Sequence, residues 1–200
     1  MLIVAGVGPG NPKYLTREVY ELIIQEENII AFGRVSRTLQ DIRKDIVGIS
    51  SVGEILEYID KYENLLILAS GDPLFYGITS YLKTKGYHPD KICPGISSFQ
   101  YLSCKCQIPW NKARFFSLHG RDFNLKDLLE IPLAIGFIDK NHLPTQISKA
   151  LYELGIRGYL IIGYDLSYEE EKIERIPIGE SCSDITDLAV MVIENEVAQR

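Results

Sequence analysis

MLIVAGVGPG, residues 1–10, joins an apolar, β-branched run to a loop of three glycines and one proline. In nucleotide-binding α/β folds, a strand leads into a G-x-G-x-x-G loop, and the helix after that loop holds a pyrophosphate. Here Gly6 and Gly8 match the first two glycines, but Asn11 stands at the third position. Pro9 has no N–H to donate and favours extended geometry at Gly8. The loop is therefore stiff and poor in donors, so it is unsuited to phosphate. The alternative is an ordinary strand-to-helix turn.

The first half of the chain alternates short apolar runs with helical patterns. The run at 64–70, NLLILAS, is wholly apolar, which is typical of a buried parallel strand. Further strands are predicted at 2–7, 28–32 and 45–49, and helices at 15–25, 34–42, 52–62, 74–86 and 97–105. This β-α-β-α order predicts a mostly parallel sheet with helices on both faces.

The pattern changes at 107–113, QIPWNKA, where Pro109 interrupts it. Beyond this point strands are predicted at 133–139, 159–165, 172–178 and 188–194, with one helix at 143–154. Several strands with few helices between them predict a smaller domain with a mixed or antiparallel sheet. We therefore predict an α/β protein of two α/β domains, 1–108 and 113–200.

Composition excludes several classes of protein. A net charge of -6 and a pI near 5.2 argue against a general nucleic-acid binder, which favours a basic face. No apolar stretch reaches about 18 residues, so no membrane span is expected. The N-terminus has no signal-peptide pattern, and the four scattered cysteines fit a reducing cytosol, so we expect a cytoplasmic protein. The histidines and cysteines have no zinc-ligand spacing, and no metal site is expected.

Three unusual loops follow predicted strands: GVGPG (6–10), SGDPLFYG (70–77) and PGISS (94–98). Ligands of open parallel sheets bind beyond the carboxyl ends of the strands, where these loops would meet. They offer backbone groups, one carboxylate and two hydroxyls, and they contain no G-K-[ST] of a P-loop. Each loop also has a structural reading, since Asp72 could cap a helix that begins at Pro73.

These three loops, together with SLHGR (117–121), resemble the tetrapyrrole methylase family, and the resemblance covers essentially the whole chain. Within the family they look most like the branch that methylates C5 of a corrin-ring precursor, of cobalt-precorrin-7 or precorrin-6Y type, in cobalamin biosynthesis. The chain is too short to include the second domain of the fused precorrin-6Y enzyme. A separate C15-methyltransferase and decarboxylase is therefore expected in the same pathway.

The resemblance implies a homodimer that binds S-adenosylmethionine in the cleft between the two domains, with the proline loop beneath it. By position, the cofactor site would include, from the first domain, Pro9, Asp72, Phe75, Ser97 and Ser98. From the second domain it would include Phe137, Ile138, Gly163, Tyr164, Asp187 and Leu188. The chain departs from the family pattern at Gly163-Tyr164, where relatives have Gly-Glu.

Transfer of an activated methyl group to carbon needs alignment, with the reacting atoms about 3–3.5 Å apart, and no protein nucleophile. The tetrapyrrole substrate carries many carboxylates, for which arginine forks are suitable partners. The candidate cations are Arg34, Arg37, Lys112, Arg114, His119 and Arg121. His119 and Arg121, both within SLHGR, are also the candidates for a catalytic role, although the residues do not identify a base. His119 could instead be a packing residue.

Two alternatives remain. The chain could act on another substrate of the same family, such as another precorrin, uroporphyrinogen or diphthine. It could also be a non-enzymatic nucleotide-binding protein or a pyridine-nucleotide oxidoreductase, although the missing third glycine and Pro9 argue against the latter.

Overall fold

The structure is a computed structural model and describes residues 1–120, 122–185 and 188–198. The chain divides into two compact units, Met1–Ser98 and Phe99–Arg200, each built on one five-stranded sheet. The boundary falls after the first residue of the helix Ser98–Cys106, whereas the sequence placed the junction after that helix. Compactness alone does not decide where an independently folding domain ends, so the boundaries 1–108 and 113–200 stay a prediction.

The first unit carries an entirely parallel sheet. Its strands are β1 (Leu2–Gly6), β2 (Ile29–Phe32), β3 (Val47–Ile49), β4 (Leu65–Ala69) and β5 (Lys91–Cys93), in the order β3-β2-β4-β1-β5. Its helices are α1 (Arg17–Gln25), α2 (Gly33–Thr38), α3 (Val52–Lys61) and α4 (Ile78–Thr84). All five residues of the central strand β4 are buried, as the wholly apolar run predicted.

Successive residues of β4 face opposite sides of the sheet, because side chains alternate along a strand. Leu66 and Leu68 pack in one apolar cluster with Val19 and Ile23 of α1. Ile67 packs in a second cluster, which includes residues of α3 and α4. Helices therefore cover both faces, and the predicted doubly covered parallel sheet is confirmed.

Helix α4 begins later than the sequence indicated. The predicted helix 74–86 begins only at Ile78, with Gly77 as the N-cap residue, because the segment before it forms turns. Its end agrees with the prediction, since Gly86 follows the C-cap with a φ of 84°. Such a left-handed residue, usually glycine, commonly terminates a helix.

The second unit carries a mixed sheet. Its strands are β6 (Arg114–Ser117), β7 (Leu133–Asp139), β8 (Gly158–Tyr164), β9 (Lys172–Pro177) and β10 (Leu188–Asn195), and its helices are α5 (Ser98–Cys106) and α6 (Pro144–Glu153). The strand order is β6-β7-β10-β8-β9, with β6 and β7 parallel and the other pairs antiparallel. The predicted mixed sheet is confirmed. One face packs in an apolar cluster with Ile147 and Leu151 of α6.

None of the helices in the described ranges is long and apolar enough to cross a membrane.

Gly136, in the middle of β7, lies directly beneath the ring of Phe116 from the neighbouring strand. A Cβ atom at Gly136 would lie 2.2 Å from Cζ of that ring. Phe116 is 1% exposed and stacks on Phe123 with a centroid distance of 5.0 Å, so its ring has little room to move. The absence of a side chain at Gly136 therefore lets the ring of Phe116 lie directly on the backbone of β7.

We therefore expect Gly136→Ala to lower the free energy of unfolding by about 1–3 kcal/mol through overpacking. The matched control is Gly53→Ala in α3, where an added Cβ meets only Ser51 Oγ, at 3.9 Å. That control should raise stability by about 0.5–1 kcal/mol, because alanine loses less backbone entropy in a helix. Urea denaturation measures both. Wild-type stability in Gly136→Ala would contradict the packing described.

Candidate functional site

Three loops meet at the carboxyl edge of the first sheet. They are the first loop (6–10), which begins at the last residue of β1, the second loop (70–77) after β4 and the third loop (94–98) after β5. The first two are joined by backbone hydrogen bonds: Gly71 N–H donates to Gly8 O at 2.8 Å, and Val7 N–H donates to Ala69 O at 2.9 Å. The loops that the sequence singled out therefore lie together.

The three loops touch backbone to backbone, with no space for side chains between them. A Cβ atom on Gly95 would lie 2.2 Å from Gly71 O and 2.7 Å from Gly6 C. A Cβ atom on Gly6 would lie 2.4 Å from Gly71 O. Any other residue at Gly6 or Gly95 would push the loops apart, so this contact explains both glycines.

Asp72 ties the second loop to the third. Its Oδ1 accepts the N–H of Leu74 at 2.8 Å, and its Oδ2 accepts the N–H of Gly95 at 3.4 Å. The helix-cap reading of Asp72 was wrong, because no helix begins at Pro73 and the carboxylate closes a turn instead. Asp72 is partly exposed, so its remaining lone pairs are accessible to a ligand.

The proline loop is built differently from a phosphate-binding loop. Pro9 is buried, and Gly8 has a φ of 80°, not the extended geometry that the sequence indicated. A short 3-10 turn, Pro12–Tyr14, follows the loop, with Asn11 accepting the N–H of Lys13. Helix α1 begins only at Arg17, so no helix N-terminus directly follows the loop to hold an anion, as the dinucleotide fingerprint requires.

The other predicted cofactor residues of the first unit also lie in these loops. Ser97 is 2% exposed and lies beside Gly71, since a Cβ there would be 3.7 Å from Ser97 Cα. Phe75 is half-buried and meets the ring of Tyr76 edge to face at 4.9 Å. Ser98 begins α5. The structure thus brings Pro9, Asp72, Phe75, Ser97 and Ser98 to one edge of the first sheet.

Large apolar side chains are exposed in the same loops. Leu74 is 62% exposed, and Tyr76 and Ile96 are each 37% exposed. The loops that carry Leu74 and Ile96 are neighbours. Asp72 joins them, because it accepts the N–H of Leu74 and the N–H of Gly95, the residue before Ile96. Tyr76 has a φ of 53°, a left-handed conformation that few non-glycine residues adopt. A cluster of exposed apolar side chains on stiff loops is typical of a binding surface.

The predicted cofactor residues of the second unit lie at one edge of its sheet but divide between its two faces. Phe137 pairs with Val190, which pairs with Gly163, so these residues form one row on one face. Ile138 and Tyr164 both pair with Ala189 in the next row, and they face the apolar cluster over α6.

The side chains of Ile138 and Tyr164 are part of the core. Each is 1% exposed. The hydroxyl of Tyr164 donates to the carbonyl of Ser183, and burial raises the pKa of Tyr164 well above its usual range. A ligand at the strand ends could therefore contact only the backbone of these two residues, not their side chains. Gly163, on the other face, is covered by Leu166, whose Cδ2 would be 2.7 Å from an added Cβ.

Asp187 and Arg121 lie outside the described residues. The backbone of Leu188 begins β10 opposite Asp139.

The candidate cations that the structure describes belong to both units. Arg34 and Arg37 are exposed in α2, which directly follows β2 at the loop edge of the first sheet. In the second unit Arg114 begins β6, and His119 follows its end. At about 3.3 Å per residue, Arg114 lies roughly 10 Å from Ser117 along β6. Arg114 and Lys112 therefore lie near the amino end of β6, whereas His119 follows its carboxyl end.

A carboxylate that sequence reasoning did not single out organises the His119 loop. Asp139, the last residue of β7, is 9% exposed. Its Oδ2 accepts the N–H of Gly120 at 3.1 Å, and its Oδ1 accepts the N–H of Asn141 at 3.0 Å. His142 Nδ1 lies 2.9 Å from Oδ1, whereas His119 Nδ1 lies 3.7 Å from Oδ2. The sequence feature that could have identified this pair is the Asp-x-x-His spacing of Asp139 and His142 at the end of a predicted strand.

The electrostatics of Asp139 favour its charged form. Burial by itself would raise the pKa of Asp139, but the hydrogen bonds from His142 and from two backbone N–H groups outweigh it. The pKa of Asp139 is therefore below its usual value, and the carboxylate is ionised at neutral pH. In the described part of the chain, no group of three or more His, Cys, Asp or Glu residues could hold a metal ion.

Comparisons with known proteins agree with these motifs. A family model for Tetrapyrrole (Corrin/Porphyrin) Methylases matches residues 1–181. The cobalt-precorrin-7 C(5)-methyltransferase of Salmonella typhimurium is 29% identical over an alignment of 209 positions that covers 97% of this chain and 99% of that protein.

Two solved structures resemble the fold. The precorrin-6Y methylase of Archaeoglobus fulgidus has a TM-score of 0.75 at 20% identity and covers 98% of both chains. The uroporphyrin-III C-methyl transferase of Thermus thermophilus, solved with S-adenosylhomocysteine, has a TM-score of 0.74 at 19% identity, covering 100% of this chain and 99% of that one. These likenesses confirm the predicted two-unit α/β architecture. Because the family model spans residues 1–181 of 200, this chain belongs to the tetrapyrrole (corrin/porphyrin) methylase family.

Proposed function

We propose that this protein is an S-adenosylmethionine-dependent methyltransferase that methylates C5 of a corrin-ring precursor of cobalt-precorrin-7 type in cobalamin biosynthesis. The observation that carries this proposal is the similarity to the Salmonella enzyme along nearly the full length of both chains. Three of the four motifs that carry the resemblance also lie together at one end of the strands of the first sheet.

The first-unit loops suit S-adenosylmethionine better than a nucleotide with phosphates. Pro9 provides no donor, and no α-helix N-terminus directly follows its loop to hold an anion. Asp72 provides negative charge for a ligand with a sulfonium and an amino group. We infer that Pro9, Asp72, Phe75, Ser97 and Ser98 hold the cofactor, which supplies a methyl group activated by the sulfonium.

In the second unit, Phe137 is the predicted residue whose side chain is best placed for the cofactor, because it is half-buried and lies on the face away from the core cluster. Gly163, Ile138, Tyr164 and Leu188 would contribute backbone groups, and Asp187 completes the proposed set.

A corrin precursor is a broad, largely apolar ring with carboxylate arms. The exposed side chains of Leu74, Tyr76 and Ile96 would contact the ring. Arg34, Arg37 and His119 would contact nearby carboxylates, with Arg121 as a further candidate. Arg114 begins β6 and Lys112 precedes it, so both lie at the end of β6 away from His119 and would reach only the outer arms.

Another activity within the family is the second candidate, since motifs of the first loop are shared by enzymes for other precorrins, uroporphyrinogen and diphthine. A nucleotide-binding protein without activity is less well supported, because the late start of α1 removes the phosphate site.

Whether the natural substrate contains cobalt distinguishes the anaerobic route from the aerobic one. We further propose a cytoplasmic homodimer that acts beside a separate C15-methyltransferase and decarboxylase, with no nucleic-acid partner.

We expect calorimetric titration to show saturable binding of S-adenosylhomocysteine and no binding of NADH, because the loops lack a phosphate site. Incubation with S-adenosylmethionine and cobalt-precorrin-7 should then yield a product heavier by one methylene, detected by mass spectrometry. Methylation of uroporphyrinogen and not of the corrin precursor would transfer the assignment to another branch. Binding of NADH alone would refute the cofactor assignment.

Asp72→Ala should weaken binding of S-adenosylhomocysteine about tenfold or more, since a lost hydrogen bond to a charged group costs about 1.5–3 kcal/mol. Its turn should lose about 1 kcal/mol of stability, by analogy with helix caps. Asp41→Ala, an exposed carboxylate elsewhere in the same unit, is the control and should bind normally. Lower stability with unchanged affinity would leave Asp72 only the role of holding the loops.

A further inference from the structure

Asp139, His142 and the His119-Gly120 turn form a polar cluster beside the predicted cofactor segments of the second unit. Asp139 ends β7 and pairs with Leu188, and it is two residues from Phe137 on the same strand. Since side chains two apart on a strand share a face, Asp139 faces the same side as Phe137 and away from the core over α6.

The hydrogen bond between Asp139 and His142 determines which nitrogen of the imidazole carries a proton. Asp139 is ionised and can only accept, so His142 Nδ1 must donate across the 2.9 Å contact. In the neutral imidazole, Nε2 then has a free lone pair. The same orientation of a base by a buried carboxylate operates in hydrolase triads.

Methylation of a ring carbon releases a proton. The new C–C bond forms as the bond from sulfur to the methyl group breaks, and the sulfur keeps that electron pair. The acceptor carbon then loses its hydrogen as H⁺, and the C–H pair returns to the conjugated ring. The proton needs an acceptor, and the sequence motifs do not identify one.

We propose that His142 accepts this proton through Nε2, and that Asp139 is the positioning residue that holds His142 in the required tautomer and orientation. This inference rests on the proposed function, because it assigns a role within that reaction. His142 is partly exposed, with 34% of its side chain accessible, so Nε2 can meet a ligand.

The structure favours His142 over His119 for this role. His119 lies 3.7 Å from Asp139 Oδ2, beyond hydrogen-bonding distance, and its side chain is 58% exposed. Oδ2 is used by the N–H of Gly120. Asp184 is a further charged group in the described ranges. Its Oδ1 accepts the N–H of Thr145, which is three residues after His142 in the first turn of α6.

The test compares His142→Gln with wild type in the transfer of methyl to cobalt-precorrin-7. We expect kcat to fall about 100-fold or more, within the range usual for loss of a general base, and affinity for S-adenosylhomocysteine to stay within twofold. An imidazole accepts a proton only when neutral, so the wild-type kcat should fall toward acid pH, and this limb should be absent in the variant. His88→Gln, on an exposed loop of the first unit, is the matched control and should behave as wild type.

Two results would overturn the proposal. One is wild-type kcat with an unchanged pH profile in His142→Gln. The other is loss of the acid limb in His119→Gln and not in His142→Gln.

The role of Asp139 is tested without turnover. Nitrogen-15 NMR of the ligand-free protein should show His142 protonated at Nδ1 and unprotonated at Nε2, and Asp139→Asn should change that tautomer ratio. An Nε2–H tautomer in the wild type would refute the positioning role. If the wild type transfers no methyl group to any corrin precursor, the proposed function fails, and the NMR measurement still decides the tautomer by itself.

Discussion

The first unit depends on the direct contact of three backbones at Gly6, Gly71 and Gly95. The strands β1, β4 and β5 are neighbours in the sheet, and their loops leave it at one edge. With separations near 2.2–2.4 Å for an added Cβ, only glycine at Gly6 and Gly95 lets the loops close on one another. The carboxylate, the hydroxyls and the exposed apolar side chains are presented at a common edge because this contact holds their loops together.

The same structural device occurs in each of the two units. In each, an aspartate after or at the end of a strand accepts the N–H of the residue two positions later and the N–H of a glycine in a neighbouring loop. In the first unit these are Asp72, Leu74 and Gly95. In the second they are Asp139, Asn141 and Gly120. The carboxylate replaces the missing backbone partners of a loop that has left the sheet, so each turn is ordered without regular secondary structure.

The two aspartates differ in what else they contact. Asp72 is partly exposed, so it can meet a cationic ligand. Asp139 is buried and also accepts a hydrogen bond from His142. The environment thus separates a carboxylate suited to binding from one suited to orienting another side chain.

The order of strands and helices in the first unit was readable from periodicity, and β4 was the clearest case because the run at 64–70 is short and wholly apolar, as buried parallel strands are. The start of α4 was not readable. The apolar pattern predicted a helix from residue 74, but the hydrogen bond from Leu74 to Asp72 makes a turn there. In β7 and β8 the strands were predicted, yet the faces of Ile138 and Tyr164 depend on register with β10, a long-range pairing that no local pattern encodes.

By itself, the sequence determined the two α/β units and the identity of the three loops, because these are properties of local composition and spacing. The family followed from the resemblance of its motifs to those of known proteins. Only the tertiary structure decided which of the named residues within each unit lie together. It placed Arg114 at the far end of β6 from His119, enclosed Tyr164 in the core, and joined Asp139 to His142 and Gly120. The physical reason is that side-chain direction and contact arise from strand pairing between distant segments, which sets distances that the linear order of residues does not contain.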